Sequence, residues 1–242
     1  MRILTAAAVA VLCLLCETPA RAEAPACQAQ SFEAHAFTVC TADPAQVSVR
    51  LFLNRDDGRA YGALDALPSD KLIFATNAGM FTPEYRPAGL YIENGIEKQP
   101  LNTRSEGYGN FHLQPNGVFW LKDGTAHVST TPEYARLKPA PALATQSGPM
   151  LVISGTINPK FDADGQSRYV RNGIGVTADG KIAVVISEEP VSFGAFARLF
   201  RDALNCPNAL YLDGSVSRLL TAGAVRNTAG PQLGPLLGVY RR

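Results

Sequence analysis

Apolar and polar residues alternate over much of the chain, and this pattern predicts a protein built mainly of β-strands. Residues 46–53 carry an apolar side chain at every second position, as a strand with one buried face does. Residues 71–76 form a more continuously apolar strand that runs directly into the polar residue Asn77. The alternation therefore predicts a sheet protein with polar side chains placed where strands end.

Turn-forming dipeptides separate several pairs of these strand-like segments. Tight turns are predicted at Asn94-Gly95, Asp123-Gly124 and Asp179-Gly180, because these residues tolerate the positive φ of a hairpin. A further strand over residues 110–114 is expected to meet residues 118–122 through a turn. Consecutive antiparallel pairs of this kind predict a meander-like arrangement. Asn94-Gly95 joins residues 90–93 to 96–98, Asp123-Gly124 joins 118–122 to 125–129, and Asp179-Gly180 joins 173–177 to 181–187.

Near the C-terminus the spacing of apolar residues changes from the two-residue period of a strand to the period of a helix, and then back to that of a strand. Ser192 can cap a helix whose apolar residues recur at three-and-four spacing. Pro207 ends this helix, and residues 209–212 predict a short buried strand. Such a crossover normally returns the chain parallel to its first strand. Glu188 and Asp213 are therefore expected at the same edge of the sheet, where open α/β sheets bind ligands.

The composition is typical of a globular protein with one sizeable core. The 242 residues are 46% hydrophobic and 18% charged, and no linker, charge block or repeat divides them. We therefore expect a single α+β domain over residues 23–242. Its sheet should be mixed but largely antiparallel, with a β-α-β unit near the C-terminus.

The first 22 residues predict a secretory signal peptide. Met1-Arg2 precedes an apolar run over residues 3–15, and Ala20-Arg21-Ala22 has the form of a signal-peptidase site. The apolar run is too short to span a bilayer comfortably, so we expect no integral membrane span and a periplasmic or secreted protein. The net charge of +1 for the whole chain indicates neither a nucleic-acid nor an anionic-membrane partner.

Three cysteines remain once the predicted signal peptide is removed. Cys27 and Cys40 are close in sequence and bracket the strand-like segment 31–39, so they are the expected disulfide in an oxidising compartment. Cys206 is expected to be a buried core residue. The alternative, a nucleophilic Cys206, would need a neighbouring histidine. The histidines are not spaced as metal ligands, and we expect neither a metal nor a cofactor.

Charged residues near the ends of predicted strands are the candidates for chemistry. Asp213 and Glu188 are the candidate carboxylates, although Asp213 could be only a turn residue and Glu188 part of a solvated loop. Arg168 and Arg171 precede a strand, and a guanidinium offers paired donors that suit a phosphate. The alternative for this pair is a pair of surface arginines.

Five ordered motifs resemble those of the phosphodiester glycosidase family, and together they extend over roughly residues 45–240. One departure is Ser215, which stands where many members continue the aspartate-glycine pair with further glycines. The motifs are Asn77-Ala78-Gly79-Met80-Phe81, Pro87-Ala88-Gly89-Leu90, Gln146-Ser147-Gly148-Pro149-Met150-Leu151, Arg171-Asn172-Gly173-Ile174-Gly175 and Ala209-Leu210-Tyr211-Leu212-Asp213-Gly214.

The resemblance implies an exported hydrolase that cleaves the glycosidic bond of a sugar 1-phosphodiester. Arg171 would bind the phosphate, while Asp213 or Glu188 would activate water or stabilise a positively charged sugar ring. One alternative is a non-catalytic glycan-binding domain. Another is a phosphodiesterase that cuts the P–O bond, which would usually need a metal cluster. The expected substrate-binding residues are Asn77, Gly79, Phe81, Gln146, Ser147, Gly148, Arg168, Asn172, Gly214 and Ser215.

Overall fold

Seventeen strands in three sheets form the main regular structure in a computed structural model that describes residues 26–222, 224–226 and 230–242. The strands are β1 (Cys27–Phe32), β2 (His35–Ala42), β3 (Val47–Phe52), β4 (Leu72–Asn77), β5 (Tyr91–Glu93), β6 (Ile96–Gln99), β7 (Gly117–Lys122), β8 (Thr125–Thr130), β9 (Leu143–Ser147), β10 (Met150–Ile153), β11 (Thr156–Ile157), β12 (Asn172–Val176), β13 (Ile182–Ser187), β14 (Asn208–Asp213), β15 (Leu219–Thr221), β16 (Ala224–Arg226) and β17 (Leu236–Arg241). The helices are α1 (Thr131–Leu137) and α2 (Phe193–Arg198), which continues as a π-helical turn over Leu199–Ala203. Two short 3₁₀ turns span Leu64–Ala66 and Asn110–His112.

The three sheets share one core. Sheet I has the order β1-β2-β13-β12-β14-β10-β11, sheet II the order β16-β15-β4-β17-β3, and sheet III the order β6-β5-β9-β7-β8. Phe74 of sheet II, Phe119 of sheet III and Leu210 of sheet I are fully buried in a single apolar cluster. The predicted single α+β domain, rich in antiparallel strands, is therefore confirmed, although it contains three sheets rather than one.

The predicted strand-helix-strand crossover forms the part of sheet I that ends in Asp213. Ser192 caps α2, because its hydroxyl accepts a hydrogen bond from the Ala195 N–H at 3.1 Å. Strands β13 and β14 each pair antiparallel with β12, which lies between them, so the two run parallel without being neighbours. Phe196 and Phe200 pack from the helical segment onto one face of sheet I. Both strands consequently end at the same edge, as the sequence predicts.

The strand predicted over residues 110–114 is wrong. Asn110–His112 forms a 3₁₀ turn instead, and Gly109 before it has a φ of 82°. The His112 N–H bonds to the Gly109 carbonyl at 3.2 Å, and the Leu113 N–H bonds to the Asn110 carbonyl at 3.1 Å. These amides are used locally and are not available to a strand ladder.

The Cys27–Cys40 disulfide is confirmed, and the two cysteines lie directly opposite each other in the β1–β2 hairpin. The segment between them is not one strand, since the chain turns at Glu33 and Ala34, whose φ values are 48° and 63°. Cys206 is free and buried. The predicted signal peptide lies outside the described residues. Within those residues, no helix is both long and apolar enough to cross a membrane.

Candidate functional site

A cavity of about 630 Å³ opens beside the end of β14, and Asp213 lines it. The segment that follows β4 forms one wall, and residues 108–112 form another. The volume falls within the range of about 300–1,000 Å³ that is usual for small-molecule sites. The wall residues other than Asp213 are Met80, Phe81, Thr82, Ala88, Tyr108, Gly109, Asn110, Phe111, His112, Ser215, Val216 and Pro231.

The Asp213 carboxyl group is only 8% exposed, although it lines this cavity. Burial raises its pKa to about 6 from the ordinary value of 3.8, because the protein interior disfavours the charged form. Backbone N–H groups act in the opposite direction, and the Ser215 N–H donates to Asp213 Oδ1 at 2.9 Å. Asp213 is therefore largely ionised at neutral pH and can take up a proton near pH 6, as a general base must.

Asn172 and Asn77 fix the backbone from which Asp213 projects. Asn172 Oδ1 accepts from the Asp213 N–H at 3.1 Å, and Asn172 Nδ2 donates to Thr76 Oγ1 and to Asn77 Oδ1, each at 2.8 Å. Asn77 Oδ1 also accepts from the Arg218 N–H at 2.8 Å. Both asparagines are fully buried and join sheet II to sheet I. The structure thus commits these amides to internal bonds that position Asp213.

Gln146 and Ser147 also point into the protein. Gln146 Oε1 accepts from the N–H groups of Leu90 and Asn102, both at 2.9 Å, and Ser147 Oγ donates to the Leu212 carbonyl at 2.7 Å. The two side chains hold neighbouring segments around the cavity, and neither is among its lining residues. Their predicted contact with substrate stays a prediction.

The two motif glycines near this site are places of close approach. A Cβ at Gly79, where φ is 139°, would lie 3.2 Å from the Gln146 carbonyl oxygen. A Cβ at Gly148 would lie 2.6 Å from the Asn116 Cβ. Both glycines therefore allow backbone segments to pack below the cavity.

Among the remaining predicted binding residues, Phe81 and Ser215 line the larger cavity. Arg168 is exposed on the loop that precedes β12. Phe81 stacks on Tyr85 with ring centres 5.7 Å apart. The cavity thus has a fixed aromatic wall on the side of β4.

Arg171 is a fully buried cation. Its guanidinium lies 3.6 Å from the centre of the Phe193 ring, Nε donates to the Val191 carbonyl, and Nη2 donates to the Ser167 carbonyl, each at 2.9 Å. Nη1 is buried without a hydrogen-bond partner among the described residues, and no carboxylate in that part of the chain forms an ion pair with Arg171. Burial lowers the pKa of Arg171, as it does for any cation removed from water.

A second, smaller cavity of about 200 Å³ is lined by Tyr211 and by Ser167, whose carbonyl accepts from Arg171, although Arg171 is not itself a lining residue. The Tyr211 hydroxyl is buried without a hydrogen-bond partner among the described residues, and burial raises its pKa. A Cβ at Gly214 would lie 1.7 Å from this hydroxyl oxygen and 3.8 Å from Arg171 Nη1. The two buried groups interact with each other, and each shifts the pKa of the other. The residues that line this small polar chamber are Asn110, Ser167, Tyr169, Tyr211, Gly214 and Ser215.

Glu188 has different surroundings, although it follows β13 at the same edge. It is exposed, its Oε1 accepts from Thr38 Oγ1 at 2.5 Å, and the same oxygen lies 3.9 Å from Arg226 Nε. It is not among the residues that line either cavity. The structure therefore brings Asp213, Gly214, Ser215 and Phe81 together, and it places Glu188 elsewhere on the edge.

Sequence reasoning missed the segment 108–112, which supplies one wall of the larger cavity. The available signal was Gly107-Tyr108-Gly109, a tyrosine between two glycines. His112 also lines the cavity, and its Nδ1 is buried without a partner among the described residues. In that same part of the chain, no group of three or more His, Cys, Asp or Glu residues is arranged to hold a metal ion.

Comparisons with known proteins agree with this fold. Escherichia coli YigE, which carries the name "uncharacterized protein", is 35% identical over 188 residues that cover 76% of this chain and 73% of YigE. The catalytic domain of zebrafish N-acetylglucosamine-1-phosphodiester α-N-acetylglucosaminidase, auto-inhibited by its pro-peptide, has a TM-score of 0.60 and 14% identity, covering 92% of this chain and 86% of that one. A protein from Synechocystis has a TM-score of 0.58 and 17% identity, covering 89% and 61%. These two structures establish a shared fold.

The family follows from the sequence match. The family model of the phosphodiester glycosidases matches residues 70–237, which include the cavity walls, Arg171 and Asp213. This match extends over more than half of the chain. The protein belongs to the phosphodiester glycosidase family.

Proposed function

We propose that the protein is an exported hydrolase that cleaves the glycosidic C–O bond of a sugar 1-phosphodiester. The observation that carries this proposal is the buried, unpaired Arg171 behind a small polar chamber next to Asp213. Family membership supports the same reaction. The small chamber would take the phosphate, and the larger aromatic cavity would take the sugar.

The charge of Arg171 favours an anionic ligand. Burial of a cation without a counter-charge raises the free energy of the folded protein, and a phosphate that binds near it offsets part of that increase. Tyr211 lines the chamber, so its hydroxyl would donate to a phosphate oxygen there, with the charge of Arg171 behind it. A phosphodiester has the charge and the acceptor oxygens that such donors would bind.

Asp213 supplies the second half of the chemistry. The bond between the sugar C1 and the phosphate oxygen breaks, and its electron pair leaves with the phosphate monoester, which needs little protonation. Water adds to C1, and the ionised Asp213 accepts the proton that this water loses. The same negative charge stabilises the positive charge that develops on the sugar ring. Glu188 remains a second candidate carboxylate.

Turnover in water labelled with heavy oxygen tests the proposal. N-acetylglucosamine 1-(methyl phosphate) is a suitable first substrate, since the zebrafish neighbour's name gives that sugar linkage. Cleavage of C–O places the label on the sugar, whereas P–O cleavage places it on the phosphate. A label found only on phosphate would contradict the proposal and would indicate a phosphodiesterase.

Export is part of the proposal. The Cys27–Cys40 disulfide supports an oxidising compartment. We expect cleavage after Ala22, which N-terminal sequencing of protein recovered from the periplasm or medium would test. An intact Met1 on that protein would refute the predicted signal peptide.

A non-catalytic glycan-binding domain is the second candidate function. The observation that favours it is the aromatic wall formed by Phe81, Tyr108 and Phe111, because aromatic rings bind the apolar faces of sugars. Binding of a sugar 1-phosphodiester without any turnover would support this alternative over hydrolysis.

A further inference from the structure

Tyr108 is the most exposed large side chain at the mouth of the larger cavity. Its exposed fraction is 101%, and it nevertheless lines the cavity that contains Asp213. A fully exposed aromatic ring leaves apolar surface in water, which is unfavourable until something covers it. The ring is therefore available to a ligand that enters the cavity.

The backbone on both sides of Tyr108 is built from glycines in conformations that other residues rarely adopt. Gly107 has a φ of 151° and Gly109 has a φ of 82°. A Cβ at Gly109 would meet nothing within 4 Å, so its backbone conformation, not lack of space, requires glycine there. The backbone that presents the Tyr108 ring therefore depends on glycine at position 109.

The other aromatic residues of the cavity already pack against neighbouring rings. Phe81 already stacks on Tyr85, and Phe111 is 5% exposed and packs against the His112 ring. These rings form a fixed wall. Tyr108 supplies the one aromatic face among the described lining residues that is fully uncovered.

We infer that Tyr108 is the residue that covers the sugar, its ring packing against the C–H face of a pyranose while the phosphate lies in the chamber before Arg171. This inference rests on the proposed function, because it takes the ligand to be a sugar 1-phosphodiester. Asn110, two residues after Tyr108, lines both cavities, so one short segment contacts both halves of such a ligand. Tyr108 is a binding and specificity residue, and it takes no part in bond cleavage.

The experiment compares two ligands that differ in the sugar. Calorimetry measures the dissociation constants of N-acetylglucosamine 1-(methyl phosphate), in an Asp213→Asn background that suppresses its turnover, and of dimethyl phosphate, which has no sugar. Steady-state assays give kcat and KM for the first ligand. The variants are Tyr108→Ala, Tyr108→Phe and Gly109→Ala. Ile96→Ala is the matched control, because it also truncates an exposed apolar side chain and lies outside the cavity.

Tyr108→Ala should raise KM and the dissociation constant of the sugar ligand about tenfold, the scale of one aromatic contact, with kcat changed less than about twofold. Dimethyl phosphate should bind Tyr108→Ala as it binds the wild type. Tyr108→Phe should restore sugar affinity, since it keeps the ring. Gly109→Ala should weaken sugar binding through the backbone alone, and Ile96→Ala should match the wild type.

Two results would overturn the role of Tyr108. One is an unchanged affinity of Tyr108→Ala for the sugar ligand, and the other is an equal loss of affinity for dimethyl phosphate. Wild-type protein that binds the sugar ligand no better than dimethyl phosphate would also refute it. Failure of the proposed hydrolysis is distinguishable, since the binding measurement needs no turnover.

Discussion

Asp213 and Glu188 are carboxylates at the ends of two parallel strands, β14 and β13, and they lie in opposite kinds of surroundings. Asp213 is buried at a cavity wall, and burial raises its pKa to about 6. Glu188 is exposed and contacts Thr38 and Arg226. The same topological position thus gives one side chain suited to proton transfer and one bound to surface partners.

A break in the regular alternation of β14 accompanies the difference. On β13, Val184 and Ile186 face the core shared by the three sheets, and Glu188 follows at the same two-residue period. On β14, Ala209 and Tyr211 face the layer under α2, but the pairing with β12 shifts register between Tyr211 and Asp213, so Asp213 does not continue that face by simple alternation. The strand ends coincide, but Asp213 lines the larger cavity, whereas Glu188 contacts Thr38 of β2. An edge shared by two strands is therefore insufficient to define a carboxylate pair.

Exchange of the two carboxylates for amides is the strongest test of this comparison. Asp213→Asn should reduce turnover about a hundredfold or more, because the amide cannot accept a proton from water. The variant should remain folded, since an amide oxygen can still accept from the Ser215 N–H. Steady-state kinetics and circular dichroism provide the measurement. An Asp213→Asn protein that is folded and fully active would make Asp213 a turn residue.

Arg171→Lys should have the next largest effect. The substitution keeps the charge but loses the planar fork and its stacking on Phe193, so kcat/KM should fall more than about tenfold. Inorganic phosphate should raise the melting temperature of the wild type and do so less for the variant. Equal phosphate stabilisation of both proteins would argue against a phosphate site at Arg171.

The sequence predicts the parts of the fold that have local causes. Asp179-Gly180 marks a hairpin, the change of period after Ser187 marks a helix, and Cys27 and Cys40 are close enough in sequence to suggest their pairing. Each of these features depends on residues near one another in the chain. For the same reason the edge that carries Asp213 could be placed before the structure was known.

The site itself depends on contacts between distant residues. The segment 101–109 has no regular period, so the tyrosine between two glycines at 107–109 is the one local sign that it borders the cavity. Asn77 and Asn172 are 95 residues apart, and only their contact reveals that they position Asp213. Arg171 resembles a surface arginine in the sequence, because its burial is produced by aromatic rings from other segments.

The pH dependence of activity should separate Asp213 from other groups. In the proposed mechanism the ionised form of Asp213 is the base, so wild-type kcat/KM should fall as the pH falls through about 6. The small residual activity of Asp213→Asn should not show this step. A wild-type profile that is flat across this range would contradict the assignment.

The free energy of unfolding of the wild type should change with pH in the opposite direction to its activity, and Asp213→Asn is the comparison. Because the folded pKa of about 6 exceeds the ordinary value of 3.8, Asp213 contributes stability that is fully present below about pH 4 and is lost as the pH rises through about 6. The loss amounts to about 3 kcal/mol at neutral pH. Urea unfolding near pH 4 and near pH 8 should reveal most of it in the wild type, and Asp213→Asn should show less dependence.

Glu188→Gln should have the smallest effect. Glu188 is exposed and outside both cavities, so turnover should change less than about threefold and stability less than about 1 kcal/mol. The same kinetic and urea measurements apply. A hundredfold loss for Glu188→Gln would show that the two carboxylates act together and would remove the contrast drawn between them.

Gly214 and Tyr211 should also restrict how this sequence can diverge. A Cβ at position 214 would lie 1.7 Å from the Tyr211 hydroxyl oxygen and 3.0 Å from its Cζ, so loss of the hydroxyl alone leaves little room. During evolution, a larger residue at 214 becomes tolerable only after the ring at 211 has been replaced by a smaller side chain. The order of the two replacements is thereby fixed, and lineages that keep the tyrosine should keep the glycine.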